Sequence, residues 1–146
     1  MKPLDHSSLV SMFALPDAVI LIVDDVPENL QLLSAVLTRV GCKVIEANSA
    51  AAARKQLSTT IPDVILLDVI MPGTDGYTFC QQLKAEPRYA NIPIIFLSGL
   101  HDAMDKLKAF SVGGADFVSK PFEAAEVLAR VKIGRASCRE RVSSPV

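Results

Sequence analysis

No run in this chain reaches the ~18 consecutive apolar residues of a membrane-spanning helix, so no membrane span is expected. The N-terminus carries Lys2 and Asp5 but no apolar core ahead of a small-residue cleavage site, so no signal peptide is expected either. Cysteine is scarce. Cys42, Cys80 and Cys138 are odd in number and far apart, which argues against a disulfide framework or a zinc site and for reduced, partly buried thiols. Tryptophan is missing, and no charge of one sign dominates: 15 Lys and Arg face 16 Asp and Glu, a net charge of −1. Without a basic stripe a nucleic-acid surface has no electrostatic support, and no direct nucleic-acid binding is expected. No internal repeat or low-complexity segment interrupts residues 18–131. What remains is a chain of 146 residues, half of them apolar and 21% charged. That composition suits one compact α/β domain able to bury a core, with a cytoplasmic setting.

Residues 1–17 mix Ser, Pro and isolated apolar residues without a period and read as a flexible lead-in. From Ala18 two kinds of segment alternate. Val19–Val23 is a short apolar strand. Pro27 suits the first turn of a helix, where its missing N–H costs nothing, and Leu30, Leu33, Leu37 and Val40 follow at helical spacing up to Gly41. Val44-Ile45 is a second strand, Ser49 to Ser58 an Ala-rich helix, Val64–Leu67 a third strand, and Tyr77 to Lys84 a third helix. Pro93–Leu97 is the fourth strand. Asp102 to Val112 forms the fourth helix, with Leu107 and Phe110 inward and Gly113-Gly114 as its stop. Phe117-Val118 is the fifth strand, and a fifth helix begins at Glu123. Five strand–helix units predict a parallel sheet covered on both faces. Right-handed crossovers prune the possible topologies, and the flavodoxin-like doubly wound order 2-1-3-4-5 would set strands 1, 3 and 4 side by side.

Ligands of open α/β sheets gather at the carboxyl ends of the strands. Here those ends carry Asp24-Asp25, Asp68, Ser98 and Lys120. Asp25 and Asp68, with a backbone carbonyl just after Asp68, offer the hard oxygen ligands that Mg²⁺ prefers, and Asp24 could act through water or by orienting the site. An aspartate carboxylate can attack phosphorus to give an acyl phosphate, and a metal offsets the repulsion between two anions. Lys120 can pair with phosphate, and the Ser98 hydroxyl can donate to it.

These residues also carry a family resemblance. Val23-Asp24-Asp25, Leu66-Leu67-Asp68 with Met71-Pro72 and Asp75-Gly76, Leu97-Ser98, and Lys120-Pro121-Phe122 resemble the receiver domain of two-component response regulators over residues 18–132. The resemblance implies that Asp68 is the phosphoacceptor, that Asp24 and Asp25 join it in holding Mg²⁺, and that Lys120 contacts the phosphoryl group. It implies that Ser98 is a switch hydroxyl, Phe117 a switch aromatic and Lys120–Pro121 a candidate cis peptide. By it, Ile70 and Leu100 flank the path of a hydrolytic water and tune the lifetime of the phosphorylated state. A sensor histidine kinase or phosphotransfer protein is the implied donor, with the output domain missing or separate. Any enzymatic activity is limited to self-catalysed phosphorylation and dephosphorylation.

Residues 133–146 resemble the conceptual translation of a sequencing adapter. That likeness implies a non-native tail, and a fifth helix cut short near Val131 where Gly134 breaks its pattern.

Other readings fit less well. A haloacid-dehalogenase-like phosphatase resembles this set in its Asp nucleophile, Mg²⁺, hydroxyl and Lys, but its acid two residues after the nucleophile is here Ile70. A mononucleotide module would need a Gly-rich turn where Asp24-Asp25-Val26-Pro27 stands. A phosphorylation-independent pseudo-receiver would have no use for all five site residues.

Overall fold

The computed structural model describes residues 14–99 and 103–143, with residues 103–106 and 137–143 by backbone alone. Ten elements alternate: β1 (Val19–Val23), α1 (Pro27–Arg39), β2 (Lys43–Ala47), α2 (Ala50–Leu57), β3 (Val64–Asp68), α3 (Gly76–Lys84), β4 (Ile94–Ser98), α4 (Ala103–Ser111), β5 (Asp116–Ser119) and α5 (Ala124–Ser143). All strand pairs are parallel and the sheet order is β2-β1-β3-β4-β5. This is the doubly wound flavodoxin-like arrangement.

Because neighbouring side chains on a strand point to opposite faces, each central strand feeds two cores. Leu21, Val23, Ile65, Leu67, Ile94 and Phe96 pack with residues of α2 and α3 and with Ala109 of α4 on one face. Ile20, Ile22, Val64, Leu66, Ile95 and Leu97 pack with Leu30, Leu33 and Leu37 of α1 and Val127, Leu128 and Val131 of α5 on the other. Local chemistry sets the helix starts. Pro27 opens α1, and the side chains of Ser49 and Asp75 cap α2 and α3 by accepting from the N–H groups of Ala52 and Thr78. The register pairs Val23 with Leu67, Asp68 with Leu97 and Ser98 with Ser119, so the carboxyl ends of β1, β3, β4 and β5 lie along one rim.

Three expectations are corrected. The lead-in does not extend as far as Asp17: Leu15 is buried in the α1/α5-side core, and its N–H donates to the Val40 carbonyl at 2.8 Å. The apolar surface that draws it in belongs to the α1–β2 turn, which lies more than twenty residues away in sequence. In α4, Leu107 and Phe110 do not point inward. They are 65% and 52% exposed, while Ala109 and Val112 face the core. Both pairs stand three apart, so the period defines two equivalent stripes and only packing chooses between them. Phe110 instead meets Phe117 edge-on at 6.2 Å. Asp102, the expected start of this helix, lies outside the described residues.

The fifth helix is the third correction. It is not cut short at Val131 but continues as one helix through Gly134 to Ser143. Gly134 is buried against the sheet, which holds the turn that its poor helix propensity would loosen. A Cβ built there would meet Val64, Ile95 and Pro93 side chains at 3.6–3.7 Å, ordinary contact distances. Gly134→Ala is therefore expected to raise the unfolding free energy by about 1 kcal/mol, the helix-propensity difference, as read from urea denaturation. A lower midpoint for the variant would show that the space beside Gly134 is too tight for a methyl group.

Candidate functional site

The rim residues converge as the register requires. Asp24, just beyond β1, is fully buried. Its Oδ1 accepts from the Val26 N–H at 2.9 Å, and its Oδ2 accepts from the Asn29 side-chain amide at 3.1 Å. Asp25, the next residue, is exposed at the mouth of the site. Asp68 closes β3 and is buried. Carboxylate oxygens of Asp24, Asp25 and Asp68 lie within 4.8 Å of one another. Lys120 enters from the β5 end. Its Nζ stands 3.2 Å from Asp68 Oδ1 and 3.5 Å from Asp24 Oδ2, so one ammonium bridges two buried carboxylates. The backbone N–H of Lys120 donates to the Ser98 carbonyl at 2.7 Å, and the Lys120–Pro121 peptide is cis.

A cavity of about 280 Å³ opens here, lined among others by Asp25, Asp68, Ser98 and Lys120. Ile70 stands at its edge, 74% exposed. Phe117 is brought near but not into it: the ring is half-buried on β5, beside Phe110. Leu100 lies outside the described residues. Sequence reasoning assigned no role to Asn29 or Phe122. Phe122 faces the Lys120 ammonium at 6.0 Å from its ring centroid. Asn29 stands in the first turn of α1, a place too common for an amide to mark a site residue.

The turn after Asp68 is held by the Gly76 N–H donating to the Val69 carbonyl at 2.8 Å, and Gly76 lies directly against the strand end. The electrostatics follow from the burial. Desolvation pushes the Asp68 carboxyl up to about 6, the Asp24 charge adds to this, and Lys120 opposes it. One lysine does not neutralise three carboxylates, two of them buried, and the donor set is all oxygen. These residues fit a hard divalent cation such as Mg²⁺. The thiols of Cys42 and Cys80 are both pushed up to about 11 by burial and have no part in the site.

A doubly wound sheet of this order, with a carboxylate cluster at the ends of β1 and β3 and a lysine at the end of β5, marks a narrow class of domain. Residues 20–132 match the model of the response regulator receiver domain, and the chain belongs to that family. It is 38% identical over 115 residues to the response regulator PleD of Caulobacter vibrioides, covering 79% of this chain and 25% of that protein. It is 38% identical over 113 residues to the DNA-binding dual master transcriptional regulator RpaA of Synechocystis, covering 77% of this chain and 47% of that one. Among solved structures, a response regulator from Chloroflexus aurantiacus superposes with a TM-score of 0.80 at 36% identity, covering 82% of this chain and 98% of that one. The signal receiver domain of a histidine kinase from Syntrophus aciditrophicus gives 0.78 at 32% identity, covering 88% and 98%. The chain thus spans between a quarter and just under half of the two curated relatives.

Proposed function

We propose that this chain is the phosphoacceptor of a two-component phosphorelay, taking a phosphoryl group on Asp68 from a sensor histidine kinase or phosphotransfer protein. The observation that carries this reading is the buried Asp68 carboxylate, paired on one side with Lys120 and crowded by Asp24 and Asp25 at the mouth of an open cavity. One Asp68 oxygen attacks phosphorus. The bond from phosphorus to the donor nitrogen, or to the carboxylate oxygen of a small acyl phosphate, breaks, and the leaving group keeps the electron pair. Mg²⁺, held by Asp25 and Asp68 with Asp24 behind them, would supply the positive charge that lets two anions approach. Lys120 pairs with a phosphoryl oxygen, and the Ser98 hydroxyl moves toward another. That inward movement frees space for Phe117 and changes the surface formed by α4, β5 and α5, which a separate output domain or partner reads. The domain is a switch and not a turnover enzyme, and the cytoplasm is its setting.

Incubation with acetyl phosphate and Mg²⁺ followed by intact mass measurement tests the assignment. Wild type is expected to gain one phosphoryl mass and Asp68→Asn none. Ser98→Ala should still gain it, while amide shifts around residues 107–122 respond less than in wild type. Equal phosphate uptake by Asp68→Asn would remove Asp68 from its role and favour another acceptor. A wild type that takes up none would favour the pseudo-receiver.

The apolar side chain at Ile70 shapes the lifetime of that state. Hydrolysis needs a water in line with phosphorus, and a polar side chain at this exposed position could hold one. Ile70→Asn is therefore expected to lose phosphate several-fold faster after the donor is removed. Identical decay in the two proteins would show that water access at this position does not limit hydrolysis.

A further inference from the structure

We infer that Asn29 is a positioning residue for the cation site, acting through Asp24. This rests on the reading of Asp24, Asp25 and Asp68 as the Mg²⁺ site. Asp24 is the most enclosed of the three carboxylates, so water cannot orient it, and its direction is set by whichever donors reach it. Among the described residues, three do. The Val26 N–H takes Oδ1, while Oδ2 is shared between the Asn29 amide at 3.1 Å and Lys120 at 3.5 Å. A carboxylate offers no donor, so it is the NH₂ of Asn29 that faces Oδ2.

Consider the site without that amide. Oδ2 would then have Lys120 as its remaining protein donor, and a buried carboxylate oxygen that has lost a hydrogen bond draws the nearest cation more strongly. Lys120 would be drawn from Asp68, now 3.2 Å away, toward Asp24. The Asp24 carboxylate would also be free to rotate about the single Val26 bond. Both shifts spoil a site whose carboxylate oxygens must stand within a few ångströms of one cation. Asn29 thus holds Asp24 in place by a neutral donor, leaving the mobile charge of Lys120 for Asp68. Val26 and Asn29 both belong to the start of α1, so that turn is a template on which Asp24 is set. Groups that orient metal ligands in this way typically matter 10–100-fold in metal affinity.

The test is Mg²⁺ binding to the whole, unphosphorylated chain by calorimetry, alongside urea unfolding without metal. Asn29→Ala is expected to weaken Mg²⁺ about tenfold, the lower end of that range, because Val26 still holds Oδ1. Asn29→Leu, which also lacks a donor but keeps the bulk, should repeat the loss. Gln31→Ala, an exposed change on the same helix, should bind as wild type does. Unchanged Mg²⁺ affinity in Asn29→Ala, with or without lost stability, would make Asn29 a structural residue only, as would an equal loss in Gln31→Ala. A wild type that binds no Mg²⁺ would overturn the cation site itself along with this inference. Binding by wild type with no response to Asn29 would overturn the inference alone.

Discussion

Gly76→Ala is expected to cost about 3 kcal/mol or more and to slow phosphorylation of Asp68 by at least tenfold. A Cβ at Gly76 would lie 2.2 Å from the Asp68 carbonyl oxygen and 2.9 Å from the Val69 Cα. Overpacking against a flexible side chain can relax, but here the obstacles are backbone atoms at the end of a central, buried strand. The Gly76 N–H is also bonded to the Val69 carbonyl, which ties α3 to the same turn. Relief therefore requires α3 to move away or the Asp68 peptide to turn, and the second moves the proposed acceptor carboxylate itself. A misplacement near 1 Å can cost on the order of 100-fold in rate. Urea denaturation and the time course of acetyl phosphate incorporation check the two halves separately. A variant within about 0.5 kcal/mol of wild type that phosphorylates normally would mean that the turn reshapes at little cost, against this geometry.

Asp68→Asn should make the protein more stable at neutral pH but not at pH 4, when divalent cations are chelated. Burial and the Asp24 charge hold the folded Asp68 carboxyl at about 6, above the ordinary value of ~3.9 expected in the unfolded chain. Below about pH 4 the carboxyl is protonated in both states and carries no penalty. As the pH rises from 4 to 6, the unfolded chain releases its proton while the folded chain keeps it, so stability falls. Above pH 6 the full cost remains. The difference between the folded and unfolded carboxyl corresponds to roughly 2–3 kcal/mol, which the neutral amide escapes. The variant's advantage should therefore be absent at pH 4, grow through pH 6 and level off by pH 7. Mg²⁺ should narrow the gap at pH 7, because the cation stabilises the folded wild type through the carboxylate that the variant lacks. A stability difference that does not vary with pH would show that the Asp68 charge is not what strains the site.

These two effects share an origin. The proposed phosphoacceptor role asks for a carboxylate that is reactive but sheltered, and shelter means burial beside other acids with one lysine to temper them. The same geometry that raises the Asp68 carboxyl makes a cation or a phosphoryl group welcome there. Lys120, placed between Asp24 and Asp68, is the group free to follow the charge as it changes.

Much of this was legible in the chain itself. The apolar runs ending in Asp24, Asp68 and Ser98, the Pro27 and Ser49 helix starts and the alternation of strand with helix are local signals: periodicity and turn chemistry act over a few residues. Right-handed crossovers narrow the strand orders these signals allow, and in the order the fold adopts the polar strand ends share a rim. What the chain alone did not determine depends on neighbours distant in sequence. Leu15 docks because the α1–β2 turn offers it an apolar surface. Ala109 faces the core in place of Leu107 because the helix had two equivalent stripes. Gly134 stays helical because Val64, Pro93 and Ile95 pack beside it. The bond from Asn29 to Asp24 is the most instructive of these. Nothing in the order of the residues says which way an amide in a first helical turn will point, and only the burial of Asp24, stripped of water and short of donors, decides that it points there.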